Sequence, residues 1–163
     1  MTLQDLLTAD IPKGHIGILA QIFYRMDTLS RQDSRKRTRF VKWLNKKQQE
    51  YQEEQMELIE EFAERDADGE LVTEIDDNGS KNYTIPKASQ EEYREALKEL
   101  QKEVVTFGEL STQELVKGIS IIAYNFQEPL GGGEAEVFDT FIENFDDLFD
   151  EYDEAFETAE QPS

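Results

Sequence analysis

The sequence contains no cysteine, a single histidine, and no lysine or arginine after Lys117. Without thiols there is no disulfide framework and no thiolate metal site, a usage that fits a reducing compartment. One imidazole, His15, cannot build the usual His-rich metal centre, and beside Gly14 at the start of a helix it reads as a structural or surface residue. A nucleophile elbow, a Gly-Lys-Ser/Thr phosphate loop and a dinucleotide fingerprint are absent, and "GGGEAE" has neither the preceding strand nor the lysine of a phosphate cradle. This inventory points away from an enzyme, with no catalytic residue, metal or cofactor expected. No stretch nears the roughly 18 consecutive apolar residues of a membrane span, and "MTLQDLLTADIPKG" lacks a basic region followed by an apolar run. The expectation is a soluble, cytoplasmic protein.

What the chain has is charge, unevenly placed. Its total is −20 over 163 residues, about one domain's worth. Such an excess repels nucleic acid and anionic membrane and suits a basic partner. From Arg31 to Lys47, however, "RQDSRKRTRFVKWLNKK" holds eight of the seventeen basic residues and one acid, a local charge of +7 that leaves −27 for the remainder. Arg35, Lys36, Arg37 and Arg39 are a candidate phosphate-binding patch. The alternative, favoured by so acidic a chain, is that this segment pairs with the protein's own carboxylates, within the chain or between copies.

Periodicity predicts a mainly α (α+β) fold: a helical hairpin or bundle with one small antiparallel β-hairpin at about 70–85 and an acidic amphipathic C-terminal helix. Residues 2–9 read as a short helix with Leu3, Leu6 and Leu7 inward, and Ile16, Leu19, Ile22, Phe23 and Met26 mark a second helix to about Leu29. A long helix follows from about Arg31 to Arg65, with a seam of Val41, Leu44, Gln48, Tyr51, Gln55, Leu58 and Phe62 that asks for a partner helix able to satisfy two amides. Asn78-Gly79 signals a tight turn that would place Asp76 opposite Lys81, Glu74 opposite Tyr83 and Val72 opposite Ile85. The nearby Asp-Gly imitates a calcium loop, but with Gly69 sixth the twelfth position is Ile75, where a bidentate glutamate is needed. "SQEE" from Ser89 reads as a capping box for a helix with Tyr93, Ala96, Leu97, Leu100 and Val104 on one face, "EVVTF" as a short third strand, and Ser111 as the cap of a helix burying Leu115, Ile119, Ile122 and Phe126. Gly118 weakens that last helix. Pro129 and Gly131 to Gly133 read as a hinge, dividing a 1–130 helical domain with a β-hairpin insertion from an acidic aromatic helix at 134–158 docked on it.

The order of long charged helix, Asp-Gly hairpin, short helix and strand-like "EVV", from "RFVKWLNKKQQEYQEEQMELIEEFAERDADGELVTEIDDNG" through "EEYREALKELQKEVV" to "LSTQELVKGI", resembles a group of small phage and prophage proteins of unknown function. The resemblance covers about residues 38–120 and implies a viral or prophage origin. It carries over no site residues.

The acidic tail lies outside that resemblance. In "FDTFIENFDDLFDEYDEAF" the residues Phe138, Phe141, Phe145, Leu148, Tyr152 and Phe156 recur at helical spacing, and Asp139, Glu143, Asp146, Asp150, Asp153 and Glu157 recur on another face, with Asp147 and Glu154 beside them. Aromatics at that spacing usually pack into a core. Like charges four apart destabilise a helix by a few tenths of a kcal/mol per pair, so something outside the segment should compensate. Carboxylates four apart rise about 6 Å along a helix, similar to the spacing of phosphates on a strand. The expected function is therefore a phage-encoded acidic inhibitor that imitates nucleic acid and binds a basic host protein such as a defence nuclease, a CRISPR effector or a transcription factor. The alternative is a phage structural or assembly protein, a tail or capsid chaperone, acting through helix contacts and self-association.

Overall fold

The structure, a computed structural model, describes residues 9–27, 29–106 and 113–160. Strand β1 (Asp10–Pro12) leads through a 3-10 turn into α1 (Ile16–Tyr24) and then α2 (Arg31–Phe62). An arm with strands β2 (Thr73–Ile75) and β3 (Lys81–Tyr83) precedes α3 (Gln90–Lys102) and β4 (Val104–Thr106). The chain closes with α4 (Gln113–Asn125), α5 (Gly132–Glu143) and α6 (Asp146–Glu160). The fold is mainly α with a small β-hairpin, as periodicity implies. The expected helix at 2–9 and the cap at Ser111 lie outside the described residues. No helix among those described is long and apolar enough to cross a membrane.

Apolar spacing selects the core. Ile16, Leu19, Ile22 and Phe23 of α1, Phe40, Val41 and Leu44 of α2, and Leu115, Val116, Ile119 and Ile122 of α4 are buried together. Phe138, Phe141, Phe145 and Leu148 belong to the same cluster, so the tail's aromatics pack against the rest of the protein. Phe23 meets Phe40 edge-on at 4.9 Å and Phe141 at 5.6 Å. Phe141 meets Phe145 at 5.2 Å. Edge-on pairs of this kind each add about 0.5–1.5 kcal/mol beyond area burial.

Several boundaries differ from the sequence pattern, each for a local reason. Helix α1 stops at Tyr24, because Arg25 and Met26 tighten into three-residue bonds to Ile22 and Phe23 and Met26 folds into the core. Helix α2 stops at Phe62 because Ala63 turns extended and the Glu64 N–H donates to the Thr84 carbonyl of the arm. Its start is set by Ser30, whose hydroxyl accepts from Asp33 N at 3.2 Å. Ser89 forms no capping hydrogen bond: a 3-10 turn over Lys87–Ser89 holds it in helical conformation, where its hydroxyl does not take the cap. "EVVTF" does form a strand, but β4 pairs antiparallel with β1 (Ile11 opposite Val105) rather than with the hairpin. This makes a second two-stranded sheet.

The hairpin is shifted by one residue from the expected register, with Thr73 opposite Tyr83, Glu74 opposite Asn82 and Ile75 opposite Lys81. A two-residue Asn-Gly turn is not used. Asp76 N donates to the Ser80 carbonyl, Asp76 Oδ1 accepts from Asn78 N and Ser80 N, and Gly79 takes φ +81°. That is a three-residue loop with a glycine bulge. Asp66 repeats the device ten residues earlier, accepting from Asp68 N and Glu70 N with Gly69 at φ +81°. The resemblance to a calcium loop is thus explained by a carboxylate closing a turn.

Of the two seam glutamines, Gln55 donates to the Tyr51 hydroxyl at 3.2 Å. Gln48 fits against Gly17 of α1, where an added Cβ would lie 3.3 Å from its amide, and its buried Oε1 finds no partner among the described residues. Partner helices pack on both ends of the seam, but among the described residues neither amide bonds to one: Gln55 is served by Tyr51 of its own helix and Gln48 Oε1 is left open.

Candidate acidic interaction face

The acidic tail is two helices, not one. Gly131 is the N-cap of α5 and Gly132 and Gly133 form its first turn, so the glycine run enters the helix instead of standing before it. The break falls at Asn144 and Phe145, whose N–H groups bond three residues back to Phe141 and Ile142. Asn144 drives it: Nδ2 donates to the carbonyls of Phe141 (3.0 Å) and Asp10 (3.2 Å) while Oδ1 accepts from Asp10 N at 3.4 Å. A side chain that enters the ladder and grips a neighbouring strand is a recognised cause of a kink. The bend lets Phe145 reach full burial.

The carboxylate row is therefore divided. Asp139 and Glu143 stand on α5, and Asp146, Asp147, Asp150, Asp153, Glu154 and Glu157 stand on α6; all eight are exposed. The regular spacing survives along α6, which at 15 residues is about 22 Å long.

Polar ties fix α6 on α4. Buried Ser120 donates to the Lys117 carbonyl at 2.6 Å and so accepts from the Tyr152 hydroxyl at 2.9 Å. Tyr124 donates to Asp153, and that bond to a carboxylate pushes the Tyr124 hydroxyl pKa above its ordinary value. Asp153 is consequently engaged within the fold. The apolar face fades along the helix: Leu148 is buried, Tyr152 half-buried and Phe156 60% exposed.

The opposite question is whether the basic segment neutralises this face. The ion pairs seen among the described residues join Lys13 to Glu54 and Glu103, Arg25 to Glu134, and Lys47 to Glu50. None includes any of the eight acids, and none includes Arg35 or Lys36. Of the four cations proposed as a patch, Arg35, Lys36 and Arg39 line one open groove of about 640 Å³ between α2 and the first turn of α4. Arg37 does not, because two residues along a helix turn it to another side; it is half-buried and lies 3.5 Å from Ser34 Oγ.

A second acidic feature was not singled out by the sequence pattern. Glu54, Glu57 and Glu61 of α2 face Glu99 of α3 and Glu103 just after it across a groove floored by Leu58 and Leu100. Its first rung is closed by Lys13, whose ammonium reaches Glu54 at 2.8 Å and Glu103 at 2.7 Å. Both helices offer these residues at three- and four-residue steps, the signal that could have found them. Among the described residues, no cluster of three or more His, Asp or Glu has the geometry to hold a metal ion. No family model, curated protein or solved structure matches this chain.

Proposed function

We propose that the protein is a phage-encoded acidic inhibitor that binds a host nucleic-acid-binding protein, such as a defence nuclease, a CRISPR effector or a transcription factor, by presenting carboxylates in place of phosphates. The observation that carries this reading is the α6 surface. Its apolar side packs on the core through Leu148, Phe149 and Tyr152, yet seven of the eight carboxylates of the row, all but Asp153, have no hydrogen-bond or ion-pair partner among the described residues. Like-charge neighbours oppose helix formation, so a row left uncompensated by the fold has its compensation in a basic partner. Long-range attraction from a chain of −20 would also speed capture.

The test is capture from host-cell extract with the intact protein as bait, using a salt step and a DNA-competition step, beside a variant carrying Asp147→Asn, Asp150→Asn and Glu154→Gln. A nucleic-acid-binding protein held at low salt, released by DNA and lost by the variant supports the reading. Recovery of only salt-resistant phage structural proteins, or of the bait itself, sinks it. One observation favours that assembly alternative: α3 buries none of its residues fully, so Tyr93, Ala96, Leu97 and Leu100 retain surface for another subunit.

A further inference from the structure

The groove between α2 and α4 has features that the acidic-face reading leaves unexplained. Lys36 lies along α4 over Gly118, close enough that a Cβ at Gly118 would stand 2.4 Å from Lys36 Cδ and 3.2 Å from Nζ. Glycine in a helix interior costs about 1 kcal/mol relative to alanine, and Gly118 is buried in the middle of α4. The fold thus accepts a weakened helix in order to seat a lysine.

That lysine meets no carboxylate among the described residues. Lys36 is half-buried, and neither it nor Arg35 forms an ion pair or hydrogen bond among the described residues. Among the described residues that line the groove, Glu114 is the one acid facing Arg35 and Lys36. Placement on α2 is unfavourable in itself. A helix favours acids in its first turns and bases in its last, whereas α2 concentrates cations in its first half and has no basic residue in its last turn.

From this geometry we infer that the α2–α4 groove is a binding site for the phosphoryl group of a small anionic ligand, with Lys36 and Arg35 as its charged contacts and Arg39 on its wall. A small ligand is favoured over a polyanion by range. Screening confines each charge to about 8 Å at physiological salt, so a dianion in the groove feels the local cations while an extended strand meets the acidic remainder. The groove's volume of about 640 Å³ falls within that of ordinary small-molecule sites, about 300–1,000 Å³.

The site is tested by isothermal titration of the full chain with pyrophosphate against chloride of matched ionic strength, with ADP as a second titrant. Saturable pyrophosphate binding that chloride does not reproduce is expected. Lys36→Met and Arg35→Met should each weaken it roughly tenfold, the scale of one charge-assisted hydrogen bond. Gly118→Ala changes no charge and favours the helix, yet by displacing Lys36 it should weaken binding several-fold; circular dichroism checks that each variant is folded. Tighter binding of ADP assigns the ligand to nucleotides, and equal binding assigns recognition to the phosphoryl group alone. Heats indistinguishable from chloride, or affinity unchanged in both Lys36→Met and Arg35→Met, would overturn the site, and unchanged affinity in Gly118→Ala would overturn the role of the lysine seat. The α6 variant of the acidic face should bind pyrophosphate normally, so the two readings can fail separately.

Discussion

The two halves of α2 belong to different regions of the molecule. Residues 31–47 carry +7 and bury Phe40, Val41 and Leu44 among the rings of α1 and α5. Residues 48–62 carry six acids and no base, and of these only Tyr51 is buried. Beyond Tyr51 the helix pairs with α3 as a two-helix stalk tipped by the β arm, where Phe62 meets Tyr93 at 6.0 Å and the side chains between the helices remain half-exposed. The contrast teaches that one helix can be held by dry packing at one end and be little more than a solvated rod at the other. Stability should concentrate where the aromatics are, while charge is displayed at both ends.

Substitution by alanine at the two ends gives the largest test of that contrast. Phe141 is ringed by Phe23, Phe40, Phe138 and Phe145 at centroid distances of 5.2–6.4 Å. Phe141→Ala should cost about 3–5 kcal/mol in urea unfolding. Leu97→Ala on α3, where the side chain is only partly covered, should cost about 1 kcal/mol. Equal losses would break the comparison and make the stalk an equal partner in the core.

Much of the aromatic end could be read in advance from the sequence. The steps of three and four at Ile16, Leu19, Ile22 and Phe23, at Leu115, Ile119 and Ile122, and at Phe138, Phe141 and Phe145 all point inward, because a helix that buries one face must repeat near 3.6 residues. What escaped depends on contacts distant in sequence. Asn144 bends the tail because it grips Asp10, 134 residues away, and no local pattern encodes that reach. Strand β4 found β1 instead of the hairpin for the same reason, since three-residue strands carry too little alternation to name a partner. The turn at Asp76 misled through its own chemistry: Asn-Gly suits a two-residue loop, but the aspartate side chain captures two amides and favours three. At the candidate face, periodicity placed the carboxylates on one side of a helix correctly for α6. The division from α5 followed from Asn144, and the seating of Lys36 followed from Gly118.

Lys13 joins the two regions and offers an intermediate test. Its turn follows β1, its N–H donates to the Glu103 carbonyl at 2.7 Å, and its ammonium bridges Glu54 of α2 and Glu103 after α3. Burial pulls the Lys13 pKa down, but hydrogen bonds and charge attraction from Glu103 and Glu54 outweigh it and leave the group above its ordinary value of 10.5. A raised folded value means that the stabilisation is fully present below the unfolded pKa and disappears as pH rises through the folded one. The glutamate side chains are 37% and 56% exposed, so solvent screening limits Lys13→Met to a loss of about 1–2 kcal/mol. The difference between wild type and variant, followed by urea unfolding, should be constant from pH 7 to 9 and shrink above about pH 10.5. A difference that grows with alkalinity would show that Lys13 holds the stalk through its stem and not its charge.

The smallest effect sharpens the comparison most, because its sign separates folding from display. Asp150 has Asp146 and Asp147 one turn before it and Glu154 one turn after, and no cation beside it among the described residues. If these acids served the fold, removing a charge would destabilise it. On the reading given above they oppose it, each like-charge pair by about 0.2–0.5 kcal/mol. Asp150→Asn should therefore raise stability by a few tenths to about 1 kcal/mol at low salt, with the gain fading as salt screens the repulsion. Asp146→Asn should gain less, since Asp146 stands in the first turn of α6 where the helix dipole favours an acid by about 0.3–1 kcal/mol. Thermal melts of the two variants at low and high salt measure the difference. A stabilising Asp150→Asn that also loses the DNA-competed partner would place the charge at the surface for binding, at the expense of the helix that carries it.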